Sequence, residues 1–220
     1  MSGPFGSSQW MYNSGEDYAV GNSLRMNNPD SAHLARSIST ASNRRTFTIS
    51  LWAKRAGLYN SLQLMGARSG SSFSLFYFSN HRFLFYSNDS NGEFQAATNA
   101  LHRDTSAWYH VVCAVDTTQG TQSNRVKIYV NGVQQSLSDN NYPENFDTYI
   151  NSTLEQQIGR QSTGADHYDG YLAEMHFVDG AALAPTAFGE FGTYGEWKPI
   201  DCKDDLTYGT HGFYLDFASS

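Results

Sequence analysis

An all-β fold, built as an antiparallel sandwich or barrel, is what this sequence predicts, on three observations. Apolar and polar residues alternate with period two along most of the chain. Gly, Asn, Asp and Ser cluster between the alternating runs. Aromatic residues make up 15% of the chain, against 16% charged. Alternation marks a strand with one face buried, the small polar clusters supply turn chemistry, and aromatic side chains suit a pleated, half-buried surface. The same balance excludes disorder, which needs few aromatics and much charge. At 220 residues the chain is expected to form one large domain whose core needs no disulfide staple.

Taken in order, residues 1–17 are rich in Gly, Ser and Asn yet hold Phe5, Trp10 and Tyr12. A solvated tail has little use for such rings, so this stretch reads as an arm that docks on another surface, a sister subunit or a larger particle. RTFTISLWAKR sets Phe47, Ile49, Leu51 and Ala53 on one face and Thr48, Ser50, Trp52 and Lys54 on the other. SSFSLFYFS and RFLFYS follow, parted by Asn80-His81. WYHVVCAV and RVKIYV then flank a polar loop, and the second run stops at Asn131-Gly132, the strongest two-residue hairpin signal because both residues tolerate positive φ. EQQIGR and DGYLAEMHFVDG complete the strands of a sandwich spanning 18–185. APTAFGEF, with Pro185 early, is the best helical candidate. Residues 186–220 form an extension ending in GFYLDFASS, where Phe213, Leu215 and Phe217 alternate as a closing strand expected beside the first. No repeat of the propeller or solenoid kind is visible.

Composition narrows the partners. A net charge of -7, with Arg44-Arg45 and Lys54-Arg55 the only adjacent basic pairs, excludes a nucleic-acid ligand. No run of eighteen apolar residues could cross a bilayer, and MSGPFGSSQWMYNSG lacks the basic head and apolar core of a signal peptide. The protein is therefore expected to act in its maker's cytoplasm or to leave by lysis or on a particle. Cys113, inside an apolar run, reads as a small buried hydrophobe. A Cys113–Cys202 disulfide is not expected in a reducing compartment, and two lone cysteines make no zinc site.

The segments FTISLWAK and WYHVVCAVDTT…NRVKIYVNGVQ, with Phe47, Ile49, Leu51, Trp52, Trp108, His110, Val112, Tyr129, Val130, Asn131 and Gly132, resemble the concanavalin A-like lectin/glucanase superfamily in its laminin-G-like and pentraxin-like branch. The resemblance covers about residues 20 to 180 and implies an antiparallel jelly-roll sandwich. It implies little about function, because this fold hosts enzymes, lectins and structural modules. The later stretch DGYLAEMHFVDGAALAPTAFGEF…GEWKP…GFYLDF resembles a segment of virion structural proteins of tailed phages. Together they imply a non-catalytic phage virion protein, a capsid decoration, fibre or tail component assembled in the host cytoplasm. It would partner other virion proteins, form a homo-oligomer and touch host polysaccharide. The alternatives are a soluble carbohydrate-binding module of a bacterial surface or secreted protein, and a degenerate glycanase.

The chemistry-bearing residues favour binding over catalysis. Glucanases of this superfamily carry an E-x-D-x-x-E arrangement that turns its acids into one cleft. No such triplet occurs here, and Glu174 and Asp179 are five apart. No cofactor is expected. The one metal the resemblance implies is calcium at a sheet edge, for which Asp166 and Asp169 are the better candidates, while Asp201, Asp204 and Asp205 read as a solvated acidic turn. The seven histidines form no metal motif, and His110 and His176 read as structural. In SSFSLFYFS both faces are apolar. One must meet the core, and Phe76 and Phe78, with Trp52 elsewhere, are candidates for a glycan floor or a subunit face. The N-x-S/T matches at Asn88 and Asn151 are read as chance.

Overall fold

A computed structural model describes residues 18–218. Its strands are β1 (Leu24–Met26), β2 (Leu34–Arg36), β3 (Thr46–Arg55), β4 (Ser61–Ser69), β5 (Ser72–Ser79), β6 (Arg82–Asp89), β7 (Gly92–Thr98) and β8 (Tyr109–Asp116). The remainder are β9 (Val126–Val130), β10 (Val133–Gln134), β11 (Leu137–Ser138), β12 (Gln156–Ile158), β13 (Gly170–Asp179), β14 (Gly189–Phe191), β15 (Trp197–Pro199) and β16 (Phe213–Leu215). Two antiparallel seven-stranded sheets form the sandwich. Sheet I runs β1-β13-β3-β8-β9-β10 with β16 also on β13, and sheet II runs β11-β7-β6-β5-β4-β12-β2. The arm residues Phe5, Trp10 and Tyr12 lie outside the described residues.

The core between the sheets follows the alternation. Phe47, Ile49, Leu51 and Ala53 of β3 meet Val111, Cys113 and Val115 of β8, and face Leu62, Leu64, Phe76, Phe78, Phe83 and Phe85 of sheet II. These side chains are fully buried, and each Val, Leu, Ile or Phe among them contributes roughly 1.5–3 kcal/mol of transfer free energy. The assignment of Phe76 and Phe78 to an outer face is therefore corrected: both are 0% exposed. Cross-strand register decides it, because Phe76 pairs with Phe85 and Phe78 with Phe83, and paired residues share a face.

In β13 a strict period of two would put Leu172, Glu174 and His176 on one face. Instead the register shifts between Ala173 and His176, with Glu174 in the left-handed region at φ 45°. This bulge lets both Leu172 and Met175 reach the core. It also parts the outer edge of β13, so that β1 pairs with Gly170–Leu172 and β16 with Met175–Phe177. The closing strand, shortened to Phe213–Leu215, thus lies end to end with the first along β13 and not beside it. Asn131 and Gly132, at φ 48° and 77°, close the β9–β10 hairpin, while β8 reaches β9 through the longer polar loop.

The extension covers the outer face of sheet I. Trp197 packs with Trp52, Trp108 and Ala173. Beside them, Phe188 and Cys202 pack with Val112 and Val178. This corrects Trp52 as an open glycan or subunit face, since it is 1% exposed. Gly132 and Gly189 make the closure possible: a Cβ on either would lie 2.2 or 2.7 Å from the Trp197 ring. The expected helix shrinks to one 3-10 turn at Pro185–Ala187, because Gly189–Phe191 is drawn into a hairpin with β15.

Candidate functional site

With one outer face covered, the outer face of sheet II across β4–β7 is the more open one: Tyr77, Arg82, Tyr86 and Gln95 are half-buried there, with Phe73, Leu75 and Leu84 buried among them. Register assembles it. Arg68 pairs with Phe73, Gly66 with Leu75 and Gln63 with Tyr77. Leu75 pairs with Tyr86, and Tyr77 with Leu84. Gln95 and Ala97 of β7 face Tyr86 and Leu84 in turn. The face is floored by rings and aliphatic groups and rimmed by polar ones. The Phe73 and Tyr86 rings meet edge to face at 5.0 Å, and the Arg68 guanidinium lies 4.8 Å over Phe73. One wall is the loop after β12. There the Asp166 carbonyl accepts from Gln63 N–H at 2.9 Å, and Arg68 Nη1 donates to Gln161 Oε1 at 3.0 Å.

Towards the other end of β5–β7 the face opens into a cavity of about 470 Å³, lined among others by Arg82, Leu84, Gln95, Ala97, Arg103 and Asp139. The loop leading into Arg103 is tied down at two points. Asn99 N–H donates to the Ser136 carbonyl at 2.9 Å, and His102 N–H to the His81 carbonyl at 2.7 Å.

Electrostatics keep the phenols neutral. Burial, then the Glu93 carboxylate beside it, pushes Tyr86 up to about 12, and burial raises Tyr77. Both therefore remain hydrogen-bond donors as well as acceptors. Burial also raises the Asp166 carboxyl, against the opposing pull of Arg68. Flat apolar patches bordered by phenol, amide and guanidinium groups suit a ligand with apolar ring faces and an equatorial belt of hydroxyls.

The carboxylates elsewhere are engaged in holding the fold. On β4–β7 the only acids are Asp89 and Glu93, and Asp89 caps its turn by accepting from Asn91 N–H at 2.7 Å. Glu174 accepts from the hydroxyls of Tyr18 (2.9 Å) and Tyr214 (2.8 Å). Asp179 accepts from Ser42 Oγ (2.6 Å), Asn151 Nδ2 (3.0 Å) and the backbone of His211 (3.0 Å). The expected calcium pair does not fit a cation. Asp169 is tied to the Arg25 guanidinium at 3.0 Å, and the Asp166 carboxylate accepts from the Gln161 amide. Among the described residues no three His, Cys, Asp or Glu side chains converge on a metal-sized site.

His110 and His176 are indeed built into the packing. Trp197 Nε1–H donates to His110 Nδ1 at 2.9 Å, so Nε2 carries the proton and donates to Ser50 Oγ at 2.9 Å. Burial, then the charge of His176, drops His110 to about 3. His176 Nδ1 meets the Tyr208 hydroxyl at 2.8 Å, and its ring stacks on Tyr214 at 4.6 Å. Cys202 Sγ lies 3.8 Å from His176 Nε2, but burial first, then Glu174, pushes its thiol up to about 12, so no thiolate nucleophile forms. Both cysteines are free, on opposite faces of sheet I. Asn151 is 2% exposed and cannot receive a glycan.

The family described as the concanavalin A-like lectin/glucanases superfamily, laminin G type, matches residues 28–186. A search of curated proteins finds no match. Among solved structures, domain 4 of AbnA, a GH43 extracellular arabinanase from Geobacillus stearothermophilus in complex with arabinotriose, is 21% identical with a TM-score of 0.56, over 80% of this chain and 81% of that one. The Ruminococcus gnavus IT-sialidase CBM40 is 13% identical with a TM-score of 0.51, over 71% and 95%. The botulinum neurotoxin serotype G binding domain is 14% identical with a TM-score of 0.54, over 79% and 44%. At these identities the likeness is one of fold.

Proposed function

Since the chain belongs to the concanavalin A-like lectin/glucanases superfamily, we propose that it is a non-catalytic carbohydrate-binding protein that takes its ligand on the outer face of β4–β7. The observation that carries this reading is the asymmetry of the two sheets: the extension buries the outer face of sheet I, while sheet II presents Tyr77, Tyr86 and a polar rim. The two acids on β4–β7, Asp89 and Glu93, lie on opposite faces by register, and Asp89 caps its turn, which supports binding without cleavage. Two relatives of similar fold are described as a sialidase CBM40 and as an arabinanase domain in complex with arabinotriose. Affinity electrophoresis against a polysaccharide panel tests the reading. Retention without product release is expected, and Tyr86→Ala should weaken it about tenfold, the scale of one lost stacking contact. Released sugar would favour a glycanase instead.

The setting we propose is a phage particle, with the protein as a structural and adhesive component anchored through Phe5, Trp10 and Tyr12. The support is the resemblance over Asp169 to Phe217, a stretch whose Phe188 and Trp197 are buried as the cover of sheet I. Many copies on one particle would multiply a weak sugar affinity. Mass spectrometry of purified particles should find the protein at fixed stoichiometry. Its presence only as an independent secreted protein would favour a bacterial carbohydrate-binding module.

A further inference from the structure

The cavity at the β5–β7 end of the candidate face is basic in an acidic molecule. The chain holds 14 Lys and Arg against 21 Asp and Glu, and most of its arginines have partners: Arg25 and Arg45 pair with aspartates, and Arg36, Arg44, Arg55 and Arg125 donate to carbonyls. Arg82 and Arg103 differ. Both line this cavity, and no hydrogen bond, ion pair or ring contact engages either among the described residues. Arg82 is half-buried and Arg103 exposed. Behind them Arg55 is a wholly buried cation, its guanidinium 4.7 Å over the Phe78 ring and bonded only to neutral groups. The charge of these residues is felt at His81 in the β5–β6 turn, held below its ordinary value by burial and then by Arg55 and Arg103. One carboxylate, Asp139, also lines the cavity, but it forms no ion pair there and leaves the two guanidiniums in excess.

A guanidinium without a carboxylate of its own, set beside an apolar floor, is suited to a carboxylate brought by a ligand, because its planar fork binds both oxygens at once. We infer that this cavity selects an acidic sugar, a uronic or similar carboxylated residue, with its carboxylate between Arg82 and Arg103 and its ring against Leu84 and Ala97. Gln95 and Asp139 are placed to take its hydroxyls. The inference rests on the carbohydrate reading and names the ligand class of that same face. Tethering of the Arg103 loop at Ser136 and His81 pre-organises one of the two cations.

Isothermal titration of the whole chain with a glucuronate-containing oligosaccharide, its glucuronamide counterpart and its neutral glucose counterpart tests this. The acid is expected to bind about tenfold or more tightly than either neutral analogue, the scale of one charge-assisted hydrogen bond. Arg82→Gln and Arg103→Gln should each remove that preference while leaving the melting temperature unchanged. Equal affinity for acid and amide would overturn the inference and leave carbohydrate binding standing. Binding of inorganic polyphosphate as tight as that of the uronate oligosaccharide would also overturn it, as charge without sugar. If no saccharide binds, both readings fall, whereas binding about tenfold weaker in Tyr86→Ala, with acid preference in the parent, supports both.

Discussion

His110 carries the clearest pH signature in the molecule. Its folded value of about 3 lies below the ordinary 6.5 because burial penalises the cation. Unfolded, the ring takes up a proton near pH 6.5. The stabilisation is thus complete above that pH and is lost as pH falls towards 3. Between pH 7 and pH 5 the loss should be about 2 kcal/mol. His102 acts in the same direction, with a value of about 4 set by burial and then Arg55. Urea midpoints at the two pH values check this, and His110→Gln should flatten the difference. A second residue-scale expectation concerns Gly132. An alanine there meets both a φ of 77° and the Trp197 ring at 2.2 Å, so Gly132→Ala should cost about 2–4 kcal/mol in thermal or chemical denaturation. The Asn131-Gly132 turn was legible from sequence as backbone geometry. That its glycine also seats a tryptophan 65 positions away was not, because nothing local encodes that contact.

At the scale of elements, β3, β5, β6, β8 and β9 are written in the alternation, β4 and β7 were not expected from it, and β3 has the two faces its sequence implies. β5 is the strand whose faces could not be told apart, because Phe76 and Phe78 are as apolar as Leu75 and Tyr77. Its neighbour holds the missing signal. In β6 one face carries Arg82, Tyr86 and Asn88, and a two-residue turn at Asn80-His81 fixes Tyr77 opposite Leu84 and thus on that same face. The candidate site was hidden for this reason, as its residues are ordinary and only the register gathers them. The β13 bulge was equally hidden, since Glu174 in the left-handed region is stabilised by Tyr18 and Tyr214 from opposite ends of the chain. The extension is an element of the core in its own right. Trp197→Ala and Trp108→Ala should each cost about 3–5 kcal/mol, read as a lowered denaturation midpoint. An unchanged midpoint for Trp197→Ala would mean that the β14–β15 hairpin does not close on sheet I.

For the whole molecule, the third layer makes the fold asymmetric: one sheet face is sealed by the extension and the opposite one is left for a ligand. With Cys113 and Cys202 buried on opposite sides of sheet I, the melting temperature should not respond to reductant. The arrangement along β13 has a topological consequence as well. β1 begins opposite Leu172 and β16 ends opposite Met175, so the two short strands point the same way, with only the Glu174 bulge between them. Tyr18 and Tyr214 approach within 3.5 Å there. A circularly permuted chain, joined from residue 218 to residue 18 and opened in the exposed tip of the β8–β9 loop, would link the two half-strands through residues 216–218 and 18–23, a short loop over the Glu174 bulge. Such a permutant should fold to the same sandwich, because the new break falls on the surface. Its near-ultraviolet circular dichroism would then match the parent's.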